Sequence, residues 1–381
     1  DLGLSTTPMV YFATARYGFD ASIQITASHN AKEYNGMKVS RTNALPVGFD
    51  TGLGEIKRWI EEGRQMKIEK EKGKVIKFDK RDDYLTFLNG YKEDYSNLKI
   101  GMDLSNGMAA LFVKDIFGDQ PLYICDKMDG NFPNHEPNPL VEKNREDLKK
   151  LVLDNGCDVG VIYDGDADRV MFIDENGRFI SPDLMIALLG HYFLEEKGEK
   201  GAVLQDIRSS KAVGEYLTPM GAEMHTWRVG RAFAAHKLRE LNGVFGGELA
   251  GHYYFRDFYY SDSGILASLL ILNVIAKLKN QGLSLSQQIS RIEKYQNSGE
   301  INFKIESKKE AMDAVRDYFT SQEQPTASFD FDGYRVEFND WWFNVRPSNT
   351  EPYLRFLCEA STKELLDQKV SKTKEIINNF K

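Results

Sequence analysis

The sequence has few cysteines, no long apolar run and no excess of positive charge. Its three cysteines, Cys125, Cys157 and Cys358, form no CxxC motif, which favours free buried thiols in a reducing compartment over a disulfide framework. The longest apolar candidate, "GILASLLILNVIAKL" (264–278), falls short of the ~18 residues of a membrane span and predicts a buried helix. The net charge of −8 disfavours non-specific nucleic-acid binding. We therefore expect a cytoplasmic protein with neither nucleic acid nor membrane as a partner.

Strand-like runs alternate with helical patterns along most of the 381 residues. A length of ~100–200 residues per domain gives two to four domains. The segments 98–117, 144–169 and 201–221 each combine a strand with a helix, which predicts α/β domains with mostly parallel sheets. Beyond about residue 300, strand-like segments precede an amphipathic helix at 362–380, which indicates a separate α+β domain. Near the start, "PMVYFAT" (8–14) is predicted to be a strand.

The loop "DGDADR" (164–169) places three aspartates on alternate positions after the apolar strand 159–163. An EF-hand also has carboxylates at positions 1, 3 and 5, and Glu175 would supply position 12. Arg169 occupies position 6, where the EF-hand turn requires glycine, and the preceding element is a strand and not a helix. We therefore favour a Mg²⁺-type site beside a phosphate over an EF-hand or a solvated acidic turn.

Three other loops cluster polar and charged side chains. Ser28 lies in "TASHN" (26–30), which taken alone is also typical of a helix N-cap or a tight turn. The loop "GGELAGHYYF" (246–255) offers a carboxylate and an imidazole, and "RPSNTEPYLR" (346–355) is dense in phosphate donors. Arg208, after the strand 201–207, is predicted to join this basic set or to lie on the surface. A serine-protease interpretation is weak, because Ser28 has no GxSxG elbow around it.

The four loops together resemble those of the α-D-phosphohexomutase family, the phosphomannomutases and phosphoglucomutases. The family has a TASHN serine loop, a DGDxDR metal loop, a GExSGH sugar loop and an RxSNTxP phosphate loop, and this chain has all four in that order. The resemblance implies a multi-domain α/β fold around a central cleft: three similar α/β domains and a C-terminal α+β domain related to the TATA-box-binding protein. We place these domains at 1–93, 94–177, 178–298 and 299–381.

The resemblance implies a reaction as well as a fold. Ser28 would be phosphorylated and would exchange its phosphoryl group with hexose phosphates, interconverting hexose 6-phosphate and hexose 1-phosphate of mannose, glucose or both. Hexose 1,6-bisphosphate would be the intermediate and activator. Lys38, His29 and Arg169 would assist the transfer. One Mg²⁺ per chain would be held by Ser28, Asp164, Asp166 and Asp168.

The resemblance also assigns substrate-binding residues. Glu248 and His252 would contact the sugar hydroxyls, and a basic set would bind the phosphate that does not react. This set comprises Arg208, Arg346, Ser348, Asn349, Thr350 and Arg355. We expect a monomer or a homodimer. Two alternatives stay open: a non-catalytic sugar-phosphate-binding relative or inactive truncated form, and a phosphoglucosamine mutase.

The chain departs from the family pattern in several places. Ala250 replaces the usual serine of the sugar loop, so one hydroxyl contact to the sugar is lost and glucose and mannose are less well distinguished. Ala167 replaces the commoner glycine between the aspartates, and Arg231 stands where some relatives have histidine. The Tyr-Asp-x-Arg-Gly-type strand with which family members begin does not precede Ser28. We therefore expect the first domain to be truncated and an N-terminal segment of a longer protein to be missing.

Overall fold

The chain folds around four β-sheets in a computed structural model that describes residues 1–65, 72–348 and 352–380. The second and third sheets each combine parallel and antiparallel strands, whereas the first and fourth are antiparallel. The expectation of mostly parallel sheets is therefore only partly correct, since each α/β sheet ends in antiparallel strands. Within the described residues, no helix is long and apolar enough to cross a membrane.

The first sheet has the order β1-β2-β3 and packs beside a buried helix. Its elements are α1 (Thr7–Arg16), β1 (Ala21–Ile25), β2 (Met37–Arg41), β3 (Leu45–Pro46) and α2 (Leu53–Glu61). The strand predicted at 8–14 is wrong, because this segment lies within α1. Thr6 caps that helix by accepting a hydrogen bond from the Met9 amide, and Pro8 fits the first turn.

The second sheet has the order β5-β4-β6-β7-β8. Its elements, with the helices around them, are α3 (Arg81–Asn89), β4 (Ile100–Asp103), α4 (Val113–Phe117), β5 (Leu122–Ile124), α5 (Glu146–Asn155), β6 (Val159–Tyr163), β7 (Val170–Asp174) and β8 (Phe179–Ile180). Gly156 ends α5 in the left-handed conformation, as a C-terminal glycine cap does. Every residue of β6 is buried, so the loop that follows β6 begins from a rigid strand.

The third sheet has the order β10-β9-β11-β12-β13. Its elements are α6 (Pro182–Gly190), β9 (Gly201–Asp206), α7 (Lys211–Leu217), β10 (Ala222–Trp227), α8 (Arg231–Glu240), β11 (Phe245–Gly247), β12 (Tyr253–Phe255), β13 (Ser261–Asp262), α9 (Gly264–Asn280) and α10 (Leu285–Ile292). The buried helix predicted at 264–278 is α9, capped by Ser263.

The fourth sheet has the order β14-β19-β18-β17-β16, and β15 also pairs with β19. Its elements are β14 (Gln296–Asn297), β15 (Ile301–Lys304), α11 (Lys308–Gln322), β16 (Ala327–Phe329), β17 (Tyr334–Glu337), β18 (Trp341–Pro347), β19 (Tyr353–Ala360) and α12 (Lys363–Asn378). The closing amphipathic helix predicted at 362–380 is α12, which Thr362 caps.

The apolar cores divide the molecule unevenly. One large buried cluster runs from Met9 to Ile292 and joins the elements around the first three sheets. A second cluster, from Phe303 to Ile377, lies entirely under the fourth sheet. The fourth domain therefore has its own core. Its contacts with the loops of the third sheet include the polar groups described below.

Candidate active site

One cavity of about 330 Å³ brings the predicted loops together. Of the predicted site residues, those that line it are Ser28, Lys38, Arg169, Arg208, Glu248, His252, Arg346, Ser348 and Arg355. They come from all four domains. A larger cavity of about 540 Å³ lies beside α1 and β1, but Asp166 is the one predicted site residue that borders it. The predicted Asn349 and Thr350 lie outside the described residues.

Ser28 lies at the tip of the loop between β1 and β2, with its backbone in the left-handed region at a φ of 57°. The Thr26 hydroxyl accepts a hydrogen bond from the Ser28 amide at 2.8 Å, which holds this turn. The Ser28 Oγ lies 3.4 Å from His29 Nδ1 and 3.5 Å from Lys38 Nζ. The tight turn that the sequence allows is therefore present, and it presents the hydroxyl to an imidazole and an ammonium group.

The metal loop packs directly against the serine loop. A Cβ added to Gly165 would lie 2.4 Å from the Ser28 carbonyl oxygen, so only glycine permits this approach. Two threonines, Thr7 and Thr26, donate hydrogen bonds of 2.6 and 3.0 Å to Asp166 Oδ2. These contacts fix the serine and the aspartates relative to one another.

Asp164, Asp166 and Asp168 converge as the sequence predicts. Their carboxylates are at most 2% exposed, and one oxygen of each lies within 4.8 Å of the others. Asp164 Oδ2, Asp166 Oδ1 and Asp168 Oδ1 have no hydrogen-bond partner within the described parts of the chain. Burial, and then the neighbouring Asp168 and Asp166, raise the pKa of Asp164 well above its ordinary value. Buried carboxylate oxygens of this kind require a cation.

Lys38 supplies part of that positive charge. Its ammonium group lies 2.7 Å from Asp166 Oδ2 and 2.5 Å from Asp168 Oδ2. Burial alone would lower the pKa of Lys38, but the aspartates outweigh it and raise the pKa well above its usual value, so Lys38 is protonated. Arg169 Nε lies 3.6 Å from Asp164 Oδ2. Burial, and then Arg169, lower the pKa of His29 to about 4, which leaves this imidazole neutral.

Glu248 and His252 lie on the loop between β11 and β12, next to the metal loop. Glu248 Oε1 accepts hydrogen bonds from the Tyr254 hydroxyl and the Gly230 amide, at 3.0 and 3.3 Å. His252 Nδ1 lies 2.6 Å from Asp262 Oδ2, and the backbones of His252 and Arg169 form a β-bridge. The sugar loop is thereby joined to the loop that holds the aspartates.

The basic side of the cavity contains Arg208 and Arg346. Arg208 makes two side-chain hydrogen bonds with Asp206, at 2.7 and 3.2 Å, which fix its guanidinium group. Arg346 is 3% exposed, and its Nε and Nη1 have no hydrogen-bond partner among the residues described. Burial, and then the charge of Arg208, lower the pKa of Arg346. Two buried guanidinium groups this close favour an anion between them. Arg355 pairs with Glu300 at 2.9 Å.

Several residues that support the site were missed by the sequence analysis. Asp262 accepts hydrogen bonds from both His252 and Arg231, whose guanidinium carbon lies 3.9 Å from the centre of the Tyr11 ring. Asp206 links Arg208 to the sugar loop, because its Oδ2 also accepts from the Leu249 amide at 2.8 Å. Asp206 is the last residue of β9, two positions before Arg208. Its place at the carboxyl end of a strand was the sequence signal that could have indicated a role in the site. Glu175 bonds Ser286, away from the aspartates, which agrees with the rejection of an EF-hand.

Four family models match the chain in sequence order. Their descriptions are phosphoglucomutase/phosphomannomutase alpha/beta/alpha domain I, domain II and domain III, and the C-terminal domain of the same family. The matched residues are 1–67, 82–177, 181–295 and 300–375.

Individual proteins match over nearly the whole chain. The chain is 35% identical to the phosphomannomutase of Escherichia coli (strain K12) over 386 residues, which covers 96% of this chain and 84% of that protein. A crystal structure of a phosphoglucomutase/phosphomannomutase family protein from Burkholderia thailandensis superposes with a TM-score of 0.86 at 24% identity, covering 100% and 82% of the two chains. An N-acetylphosphoglucosamine mutase of Aspergillus fumigatus, in complex with GlcNAc-6P and magnesium, has a TM-score of 0.68 at 13% identity, covering 98% and 91%.

Proposed function

Because the chain belongs to the phosphoglucomutase/phosphomannomutase family, we propose that it interconverts hexose 6-phosphates and hexose 1-phosphates through a phosphorylated Ser28. A single observation carries this proposal: all four predicted loops border one cavity. Its volume of about 330 Å³ is within the range of small-molecule sites. A binding protein without catalysis would not need a serine hydroxyl beside a buried lysine and three aspartates.

Phosphoryl transfer breaks the bond between phosphorus and Ser28 Oγ while a sugar hydroxyl attacks from the opposite side. The departing Oγ needs a proton, and the protonated Lys38 at 3.5 Å is placed to donate one. The neutral His29, 3.4 Å from the same oxygen, can accept a proton. Arg169 adds positive charge where the phosphoryl oxygens pass. On the return transfer the roles of donor and acceptor reverse.

The three aspartates fit a magnesium ion, which is supported by their unpartnered buried oxygens. Asp164, Asp166 and Asp168 would hold the ion together with the phosphoserine oxygen. When bound, Mg²⁺ neutralises charge on the phosphoryl group as it is transferred. The magnesium in the Aspergillus protein of the same fold adds support.

The other side of the cavity suits the part of the substrate that does not react. We assign Glu248 and His252 to the sugar hydroxyls and a basic group to the distal phosphate. This group is Arg208, Arg346, Ser348, Asn349, Thr350 and Arg355. The hexose 1,6-bisphosphate formed by the first transfer must then reverse its orientation, so that its other phosphate faces Ser28. Added hexose 1,6-bisphosphate would serve as an activator by phosphorylating Ser28.

Mannose and glucose phosphates are the substrates that we favour over amino-sugar phosphates, because the named relative is a phosphomannomutase. A coupled assay with mannose 1-phosphate, glucose 1-phosphate and glucosamine 1-phosphate compares the three directly. Tryptic mass spectrometry after incubation with glucose 1,6-bisphosphate locates the phosphate. We expect label on Ser28, turnover of mannose or glucose phosphate, and neither in S28A. Label on Ser28 without turnover would favour the non-catalytic alternative, and no label would contradict the proposal.

A further inference from the structure

Arg335 of β17 is a buried cation that the proposed reaction does not use. It is 0% exposed and lies at the boundary between the fourth sheet and the third. Its Nη1 donates hydrogen bonds to the carbonyl oxygens of Ile207 and Ser209, at 2.9 and 2.6 Å. Its Nε donates to Glu337 Oε1 at 2.7 Å, and its guanidinium carbon lies 3.8 Å from the centre of the Trp342 ring. Stacking and three hydrogen bonds fix this side chain in one geometry.

The two carbonyl oxygens that Arg335 binds flank Arg208. Ile207 precedes Arg208 and Ser209 follows it, so one guanidinium nitrogen from the fourth domain holds both sides of this residue. The next residue strengthens the contact, because Ser210 Oγ donates to Glu359 Oε2 at 2.8 Å. The turn 207–210 is therefore held from two sides: the Ser210 amide donates to Asp183 Oδ2 of its own domain at 2.7 Å, and Arg335 and Glu359 bind it from the fourth sheet.

The same turn is connected onward to the sugar loop. Arg208 binds Asp206 through its side chain and its amide, and Asp206 Oδ2 accepts from the Leu249 amide. Hydrogen bonds, together with the peptide bonds of the turn 207–209, thus connect Arg335 through Asp206 to Leu249, the residue next to Glu248. Arg208 and Arg346 line the same cavity, one from each side of the domain boundary.

We infer that Arg335 is a positioning residue. It holds Arg208 of the third domain at a fixed distance and orientation from Arg346 of the fourth while the bisphosphate intermediate changes orientation. This inference rests on the proposed function. During reorientation the intermediate has lost its bond to Ser28 and is retained by non-covalent contacts alone. If the distance or orientation between Arg208 and Arg346 changes, the intermediate escapes to solution more often. The first transfer from Ser28 also uses Arg208 and Arg346 to bind the phosphate of the hexose 6-phosphate, so its rate is compared at saturating substrate, where weaker binding no longer limits it.

The experiment follows radioactive phosphate from Ser28. Protein labelled on Ser28 is mixed with a hexose 6-phosphate. The label is then measured in two forms: free hexose 1,6-bisphosphate, which has escaped, and phosphate returned to the protein. The amounts of the two give the ratio of escape to return. R335K keeps the charge but loses the Nε donor to Glu337 and the planar group stacked on Trp342, so its ammonium group is no longer fixed at the two carbonyl groups. We expect the ratio of escape to return to rise by about tenfold to a hundredfold, as a misplaced binding group does. The concentration of hexose 1,6-bisphosphate required for half-maximal activity should rise in parallel, with the rate at which saturating hexose 6-phosphate removes label from Ser28 unchanged.

Controls separate positioning from general destabilisation. R316M removes one positive charge from the same domain, where Arg316 pairs with Asp313 and Asp317, and it should behave as the wild type. In an R208K background, R335K should add little, because both substitutions act on the same clamp. R335M tests the same position without charge, and thermal unfolding shows whether either variant is folded.

The two possible failures are distinguishable. If label never leaves Ser28 in the wild-type protein, the proposed function is wrong. If the wild type turns over and folded R335K divides its label as the wild type does, the positioning role of Arg335 is wrong. An R335K effect of the same size in the R208K background would also overturn it, because Arg335 would then act on a different part of the protein.

Discussion

The two sides of the cavity differ in how their charges are compensated. On the serine side, three carboxylates lie near Lys38, and its ammonium group is within 2.7 Å of two of them, Asp166 and Asp168. On the phosphate side, Nε and Nη1 of the buried Arg346 have no hydrogen-bond partner in the described chain, and the carboxylate of Asp332 lies 4.0 Å from Nη1. The metal loop contributes Ala167 to the large apolar core, whereas Val345, next to Arg346, belongs to the separate core of the fourth domain. Both sides are assembled across a domain boundary, but direct ion pairs and hydrogen bonds join the two parts of the side that reacts, whereas the two arginines of the other side would be joined by the phosphate that they bind.

The largest effect should come from the serine side. D164N removes one proposed magnesium ligand, and the loss of several kcal/mol of charge stabilisation should lower kcat by about a thousandfold. The same variant should make the metal-free protein more stable, because burial and two neighbouring carboxylates raise the pKa of Asp164 and make its charge unfavourable. The coupled assay measures the loss of kcat, thermal unfolding in a chelator measures the gain in stability, and calorimetric titration with Mg²⁺ measures the affinity for the ion.

D154N is the matched control for that variant, since Asp154 is exposed on α5. It should change neither Mg²⁺ affinity nor activity. A D164N protein that binds Mg²⁺ as tightly as the wild type would show that the ion is held elsewhere.

R346M should affect binding and stability in opposite directions. The loss of a charge-assisted contact to phosphate should raise KM by about tenfold to a hundredfold. Burial and Arg208 make the charge of Arg346 unfavourable, and Asp332 offsets this only from 4.0 Å, so removal of the guanidinium group should stabilise the free protein by about 1 kcal/mol or more. Unfolding with and without inorganic phosphate tests this, because phosphate should stabilise the wild type more than the variant. A loss of stability in R346M without phosphate would mean that the charge is compensated.

The sequence predicted the chemistry of both sides better than their connection. Each loop is a local motif, and the resemblance of the four motifs to one family assigned Ser28 and the aspartates to one site before the fold was known. The segment 8–14, which lies in the helix 7–16, was predicted as a strand. In so short an apolar run, the spacing of the apolar residues does not distinguish a helix from a strand. Arg335 gave no signal either: it lies in a strand-like run, and its partners Ile207 and Ser209 are more than 120 residues away. Contacts at such separation depend on how the domains pack.

The stability of the protein should depend on pH through Glu359, which lies at the boundary between the third and fourth domains. This carboxylate accepts hydrogen bonds from Ser210, Asn297 and Trp342. Burial, and then Asp183, raise its pKa from 4.5 to about 7. The folded protein therefore keeps a proton that the unfolded chain loses between these values, so stability falls as pH rises through this window, by up to about 3 kcal/mol.

E359Q should remove that dependence, since glutamine is neutral throughout. Denaturant unfolding at several pH values between 4.5 and 8 compares the two proteins, with E364Q at the exposed start of α12 as control. Equal slopes for the wild type and E359Q would mean that Glu359 is ionised across the whole range.

The smallest effect should come from Ala250, which lines the cavity on the sugar loop between the two sides. A250S restores the hydroxyl that the family motif has at this position, and a single added contact to a sugar is worth ~1 kcal/mol. We expect the ratio of kcat/KM for mannose 1-phosphate and glucose 1-phosphate to change by less than about tenfold, with label on Ser28 unaffected. A327S, on β16 away from the cavity, is the control. An unchanged ratio would mean that Glu248 and His252, and not residue 250, distinguish the two sugars.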